Sequence, residues 1–155
     1  LEMKIKSINI FENLIIIGDG DQLDDLRRLC HSSPSGNSIK ILGFVHDEDQ
    51  IEKLYASAAY SISPGYVGLS CIQSFAHGVP MIISRNESHS PEIESCSVEN
   101  SQFYDTVEEL ENLMQDKTLF ARSKWNRSSI IKNVIDNYTI DKMVERFHDS
   151  IHRYL

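Results

Sequence analysis

Short apolar runs alternate along the chain with stretches in which apolar residues return every third or fourth position. Leu14-Ile15-Ile16-Ile17, ended by Gly18-Asp19-Gly20, has the pattern of a strand buried on both faces of a parallel sheet. Between Asp21 and Cys30, Leu23, Leu26 and Leu29 recur among charges, which predicts an amphipathic helix, and Ser32 to Asn37 supplies turn residues. The unit then repeats. Ile39-Lys40-Ile41-Leu42 is a strand ended by Gly43, and Ile51, Leu54, Tyr55 and Ala58 mark a helix opened by Asp47, Glu48 and Asp49, whose charges suit a helix start. Tyr60 to Ser63 gives a third strand, Leu69 to His77 a helix, and Val79 to Ile83 a fourth strand after Gly78, a residue suited to a helix C-cap.

Further on, Thr106-Val107-Glu108-Glu109 is a capping box ahead of Leu110, Leu113 and Met114. A helical stretch follows around Trp125 to Asp136, and a last helix carries Ile140, Met143, Val144, Phe147 and Ile151 on one face. Such alternation predicts an α/β domain: a Rossmann-like parallel sheet flanked by helices, with helices at the C-terminal end. No internal repeat, low-complexity tract or linker interrupts it. Leu1 to Asn13 is the awkward part, with Ile5, Ile8 and Phe11 fitting only part of a helix. A doubly wound sheet has a central first strand that carries the first phosphate-facing turn, and the pattern leaves that strand unaccounted for.

The 155 residues fit one domain, 1–155, because a chain this size buries roughly 70% of its unfolded surface. A net charge of −8, from 15 basic and 23 acidic residues, repels nucleic acid and anionic lipid at long range. A local phosphate site survives that balance, since backbone amides bind anions on acidic proteins too. Three cysteines, Cys30, Cys71 and Cys96, are odd in number and lack metal-ligand spacing, which fits a reducing cytoplasm and neither a disulfide framework nor a metal site. No apolar stretch approaches the ~18 residues of a membrane span, and no leader opens the chain.

Candidate chemistry sits in the turns. Gly18-Asp19-Gly20 resembles the start of a dinucleotide fingerprint, but Leu23 stands where the third glycine belongs, and no acidic residue follows about 20 positions on. A nicotinamide site is disfavoured, and the pair reads either as a tight strand-to-helix turn or as amides at a carboxyl edge. Pro64-Gly65-Tyr66-Val67-Gly68-Leu69-Ser70 joins a strand end to a helix through glycines. Gly65 and Gly68 allow close backbone approach to a ligand, and free amides near Leu69 and Ser70 outline a diphosphate cradle. From spacing alone, a glycine-bearing loop before a core helix fits equally well. Ser70 lacks the second glycine of a nucleophile elbow, so hydrolase chemistry is disfavoured. His77 reads as an ordinary half-buried histidine, and Glu92 and Glu94 as charges at a helix start.

The run from Ser63 through Ala76-His77-Gly78-Val79-Pro80, followed by Met81 to Ser84 and Pro91-Glu92-Ile93-Glu94, resembles the donor-binding domain of group 1 (family 4) retaining glycosyltransferases. Those enzymes carry a strand, a Ser-Pro loop, Gly-Leu, a helix ending Ala-x-Gly-x-Pro, a strand and Pro-Glu-Ile. Ile15 to Gly20 and Ile41 to Val45 look like the family's second and third strands. The resemblance spans about Asn13 to Glu94 and implies the C-terminal half of a GT-B fold. It also implies a nucleotide-diphosphate sugar donor for transfer to a saccharide or lipid-linked acceptor, in polysaccharide or glycan biosynthesis. No cofactor beyond that donor and no metal is implied.

By the same resemblance, Gly18 and Gly20 border the donor, and Gly43, Phe44 and Val45 border its base. Gly68, Leu69 and Ser70 hold diphosphate and sugar through backbone amides, Gly65, Tyr66 and Val67 belong to the same donor-binding loop, and Gln73 faces the ribose. Many members have glutamates where this chain has Gly65 and Gln73, contacting sugar and ribose respectively, so two charged contacts are exchanged for a bare backbone and a neutral amide. Gln73 shares a helix face with Leu69, Ile72 and Ala76, where a buried amide needs a partner. The family's Arg and Lys near the first strand have no motif match, and no catalytic residue is assigned. An acceptor domain is expected to precede this chain in the same protein, cytoplasmic and held at the inner face of the membrane through that domain. The chain alone should bind donor and transfer nothing. Two rival readings are a degenerate nucleotide-sugar-binding module and a sugar-nucleotide epimerase of the same fold.

Overall fold

A computed structural model describes residues 13–33, 36–116, 118–119 and 124–152. The expected helical fragment around Ile5, Ile8 and Phe11 lies outside them. Among these residues five strands form two parallel ladders: β1 (Leu14–Ile17) pairs with β2 (Ile39–Gly43), and β3 (Ser61–Ser63), β4 (Met81–Ser84) and β5 (Ser101–Tyr104) pair in that order. The helices are α1 (Leu23–Ser32), α2 (Glu48–Ser57), α3 (Ser70–Ala76), α4 (Val107–Gln115), α5 (Arg127–Asn137) and α6 (Ile140–His152). This is the expected α/β architecture with its strands divided into two ladders.

The division has a topological reading. In a doubly wound sheet the third and second strands lie on one side of the first, and the fourth, fifth and sixth on the other. The blocks β2-β1 and β3-β4-β5 have the order of those two sides, and no ladder joins β1 to β3 among the described residues.

One expectation about β1 is corrected. It is not buried on both faces: Ile16 packs with Leu26, Ile39 and Ile41 against the buried Leu29 and Cys30 cluster, whereas Ile15 and Ile17 are 37% and 45% exposed. Packing covers alternate positions of this two-stranded unit and leaves the others open. β4 shows the fully enclosed pattern instead, with all four residues buried between β3 and β5.

Local chemistry fixes the helix ends. Asp47 accepts from the amides of Asp49 and Gln50 to start α2, and Thr106 accepts from Glu109 N–H to start α4. At the end of α3, Gly78 N–H donates to Phe75 O and Val79 N–H to Ser74 O, the paired bonds of a Schellman cap. Gly78 has φ +68°, in the left-handed region that an L side chain adopts only at a cost. The cap turns the chain straight into β4. The α3 side of the core joins Val67, Cys71, Phe75, Met81 and Ile83 to Ile130 and Val134 of α5. Arg127 locks that packing by donating to the carbonyls of Tyr55, Ala58 and His77 at 3.1–3.2 Å, tying together the ends of α2 and α3. α6 forms as the periodicity predicts, with its apolar face, including Met143, Val144 and Phe147, exposed.

Candidate functional site

The predicted site residues fall into two groups at the carboxyl ends of parallel strands, where α/β domains bind ligands. The first group closes β1 and β2. Gly18 N–H donates to Gly43 O at 2.8 Å, which brings those two glycines together, and Gly20 N–H donates to Asp19 Oδ1 at 2.8 Å. Neither glycine amide is therefore left for an anion. Phe44 is 60% exposed with its ring tilted over His46 at 4.2 Å, and Val45 is half-buried. An open cleft of about 700 Å³ beside this turn runs between Ile16 and the Leu26 face of α1. Asp19, Asp21 and Asp25 line it, and three carboxylates make it a poor place for a diphosphate.

The second group is the loop between β3 and α3. Here the polar backbone is sorted by direction. The Ser63 hydroxyl faces the carbonyls of Tyr66 (3.0 Å) and Gly65 (3.4 Å), and Val67 O accepts from Ser90 N–H at 3.0 Å, with the Ser90 hydroxyl at the same distance but turned to the Glu92 carboxylate. Gly68 O accepts from Cys71 N–H at 3.2 Å, and Leu69 O from Gln73 N–H at 3.0 Å. Each carbonyl from Tyr66 to Leu69 thus has a partner within the protein, Tyr66 O taking the single Ser63 proton. The amides of Gly68, Leu69 and Ser70 have none among the described residues, and Leu69, the N-cap of α3, adds no side-chain cap. Three consecutive free N–H groups beside satisfied carbonyls make a surface that favours an anion.

Within this loop Tyr66 and Leu69 are 65% and 72% exposed, Ser70 is exposed, and Gly65 and Gly68 are half-buried. Val67 points the other way. Its side chain is fully buried and its N–H donates to His89 Nδ1 at 3.1 Å, so it anchors the loop from beneath. α3 has seven residues, shorter than the expected Leu69 to His77, and buries Cys71, Ser74 and Phe75. The opposite face carries Leu69, Gln73 and Ala76, and Gln73 is exposed rather than a buried amide in need of a protein partner. Its amide is open to a ligand.

Neighbouring groups support the loop. The buried Cys71 thiol faces Gly68 O at 3.2 Å, Ser95 Oγ at 3.4 Å and Glu92 O at 3.5 Å. A hydrogen bond from Cys96 holds its pKa below the ordinary thiol value, against the opposing effect of burial, and the same contact pushes the Cys96 thiol up. With no exposed surface, Cys71 is a packing residue despite that shift. Glu92 lies in the turn Pro91–Ser95, and its bond to the Ser90 hydroxyl holds its carboxyl below the usual range. His77 is half-buried and stacked on Tyr55 at 4.6 Å with 7° between the rings, the structural role its pattern suggested. His89 and Ser90 had no place in the sequence reading. Their only local signal is a polar run before Pro91, and their contacts are to a residue more than twenty positions away.

A family model described as glycosyl transferases group 1 matches residues 4–121. No curated protein sequence matches the chain. Among solved structures, the fold is similar to the apo form of the lipopolysaccharide outer core galactosyltransferase WaaB, with a TM-score of 0.78 and 14% identity over 99% of this chain and 44% of that one. It is also similar to S. aureus TarM solved in a complex that includes UDP, with a TM-score of 0.68 and 16% identity over 96% of this chain and 30% of TarM. Anabaena HepE in complex with UDP-glucose gives a TM-score of 0.58 and 17% identity over 88% and 43%. At these identities the likeness is one of fold, and the chain spans less than half the length of each. The family model covers most of the chain's length, loop and flanking strands included, and the chain belongs to the group 1 glycosyl transferases.

Proposed function

We propose that this chain is the donor-binding domain of a retaining glycosyltransferase that transfers a sugar from a nucleotide diphosphate to a saccharide or lipid-linked acceptor. The observation that carries this reading is the row of free amides at Gly68, Leu69 and Ser70, displayed by a loop whose carbonyls from Tyr66 to Leu69 are engaged elsewhere. In this reading those amides hold the diphosphate. As the glycosidic bond breaks, negative charge grows on the leaving phosphate oxygens, and N–H groups fixed in place beforehand stabilise it without reorganising. Exposed Gln73 hydrogen bonds the ribose, Gly43, Phe44 and Val45 border the base beside the Gly18 to Gly20 turn, and Gly65 and Tyr66 flank the sugar. That HepE and TarM are solved with UDP-glucose and UDP makes uridine nucleotides the first donors to try.

An acceptor-binding domain elsewhere in the same protein completes the enzyme in this account, since the solved relatives are more than twice as long. Titration calorimetry of the full-length protein against a panel of nucleotide sugars tests the donor site. Binding of one donor in preference to the rest is expected, and absence of heat at millimolar donor rejects the site. A second reading, a non-catalytic nucleotide-sugar-binding module, is favoured by one observation: Gly65 and Gln73 stand where family members have glutamates. Donor binding without hydrolysis or transfer to any acceptor would select it.

A further inference from the structure

His89 makes two hydrogen bonds that leave its ring a single protonation state. Nδ1 lies 3.1 Å from Val67 N, and Nε2 lies 2.7 Å from Ser84 O. A backbone N–H only donates and a carbonyl only accepts, so Nδ1 is bare, Nε2 carries the proton, and the imidazole is neutral. Next along the chain, Ser90 holds the other end of the same residue, with its N–H donating to Val67 O at 3.0 Å.

These contacts fix two successive peptide planes. The peptide between Tyr66 and Val67 has its N–H on His89 and its C=O on the Ser63 hydroxyl. The peptide between Val67 and Gly68 has its C=O on Ser90. In a planar trans peptide C=O and N–H point in opposite directions, so drawing Val67 O toward Ser90 turns Gly68 N–H away from it, to the side where the loop meets solvent. The buried Val67 side chain prevents the pair of planes from rolling back.

We propose that neutral His89, as its Nε2–H tautomer, is a positioning residue for the donor diphosphate, orienting the Val67 peptides with Ser90 so that Gly68 N–H is aimed before the ligand arrives. This rests on the reading of the loop as a diphosphate site. His89 itself touches no phosphate. Its contribution is preorganisation: a loop already set in its binding geometry spends less of the ligand's interaction energy on ordering.

Two substitutions separate the two ring nitrogens. His89→Asn places a carbonyl oxygen near the position of Nδ1 and keeps an acceptor for Val67 N–H, whereas His89→Gln reaches Ser84 O with its NH₂ and leaves Val67 N–H unpaired. In calorimetric titrations of the full-length protein with UDP, His89→Asn is expected to bind within about threefold of the parent. His89→Gln is expected to bind roughly three- to tenfold more weakly, the worth of one lost neutral hydrogen bond. In parallel, ¹⁵N-histidine spectra of the parent should show a proton-free Nδ1 and a protonated Nε2. Equal UDP affinity of parent and His89→Gln overturns the inference and leaves the donor site standing, whereas a parent that binds neither UDP nor any other nucleoside diphosphate of a panel rejects both. Should His89→Gln fail to fold, an Nδ1-protonated ring in the parent or loss of affinity in His89→Asn overturns it.

Discussion

Three glycines allow backbone strain to be separated from steric collision by the same substitution. At Gly65 the backbone is not left-handed, and an added Cβ meets no atom within 4 Å. At Gly43 φ is +71° but the space is again open, so alanine adds strain alone. At Gly78 φ is +68° and the Cβ would lie 2.9 Å from Arg127 O and 3.1 Å from Ile131 Cδ1. The first contact is with backbone that Arg127 holds in place through its own three hydrogen bonds, so it cannot yield cheaply. A left-handed L residue costs ~1–2 kcal/mol, and overpacking a filled site ~1–3 kcal/mol. Gly65→Ala should therefore change stability by less than ~0.5 kcal/mol. Gly43→Ala should lose ~1–2 kcal/mol. Gly78→Ala should lose the sum of strain and collision, ~2–5 kcal/mol. Urea unfolding followed by circular dichroism reads this as graded midpoints at constant slope. A Gly78→Ala midpoint equal to that of Gly65→Ala, or a Gly43→Ala loss larger than that of Gly78→Ala, would refute the reasoning.

Replacing Gln73 with alanine should weaken donor binding by ~0.5–1.5 kcal/mol, about two- to twelvefold in Kd, without moving the unfolding midpoint, because the side chain is exposed. Unchanged affinity in calorimetry would remove Gln73 from the site. Arg127→Met keeps the apolar stem and deletes donors to three carbonyls, and an unfolding experiment should show a loss of about 2–4 kcal/mol. A loss below ~0.5 kcal/mol would mean that water replaces the guanidinium. For Glu92 the folded-state pKa lies below its ordinary value because the Ser90 hydroxyl bonds the carboxylate. Its stabilising contribution is thus complete above the ordinary carboxylate range and disappears as pH falls through the lowered value. Carboxyl carbon shifts should show Glu92 titrating below the ordinary carboxylate range, and Ser90→Ala should remove the larger part of that depression.

What the sequence could disclose depended on how local each cause was. The Asp47 and Thr106 caps, the Gly78 stop and the amphipathic stripe of α1 are set by neighbours within a turn, and each formed where the pattern placed it. β5 gave no such signal. Ser101 and Gln102 break any apolar run, and the strand exists because Met81 and Ile82 of β4 offer it a ladder and Tyr104 fills the core beneath α4. The exposed positions of β1 were misread for a related reason: an all-apolar run states what a strand tolerates, while burial is decided by what packs on each face. At the proposed site, the glycines marked a loop between a strand and a helix. Which amides stay free was settled by His89, Ser90 and Ser63, contacts that no spacing rule encodes.

The central claim, that Gly68, Leu69 and Ser70 hold the donor diphosphate through their amides, is tested most directly by following backbone ¹H–¹⁵N resonances of the protein as UDP is added. The account predicts that these three amides move furthest and gain protection from hydrogen exchange, while Val67 N–H, already held by His89, is protected before UDP is present. It would be contradicted by saturation with UDP that leaves all three unmoved, above all if the largest shifts appear instead along the acidic cleft at Asp19, Asp21 and Asp25.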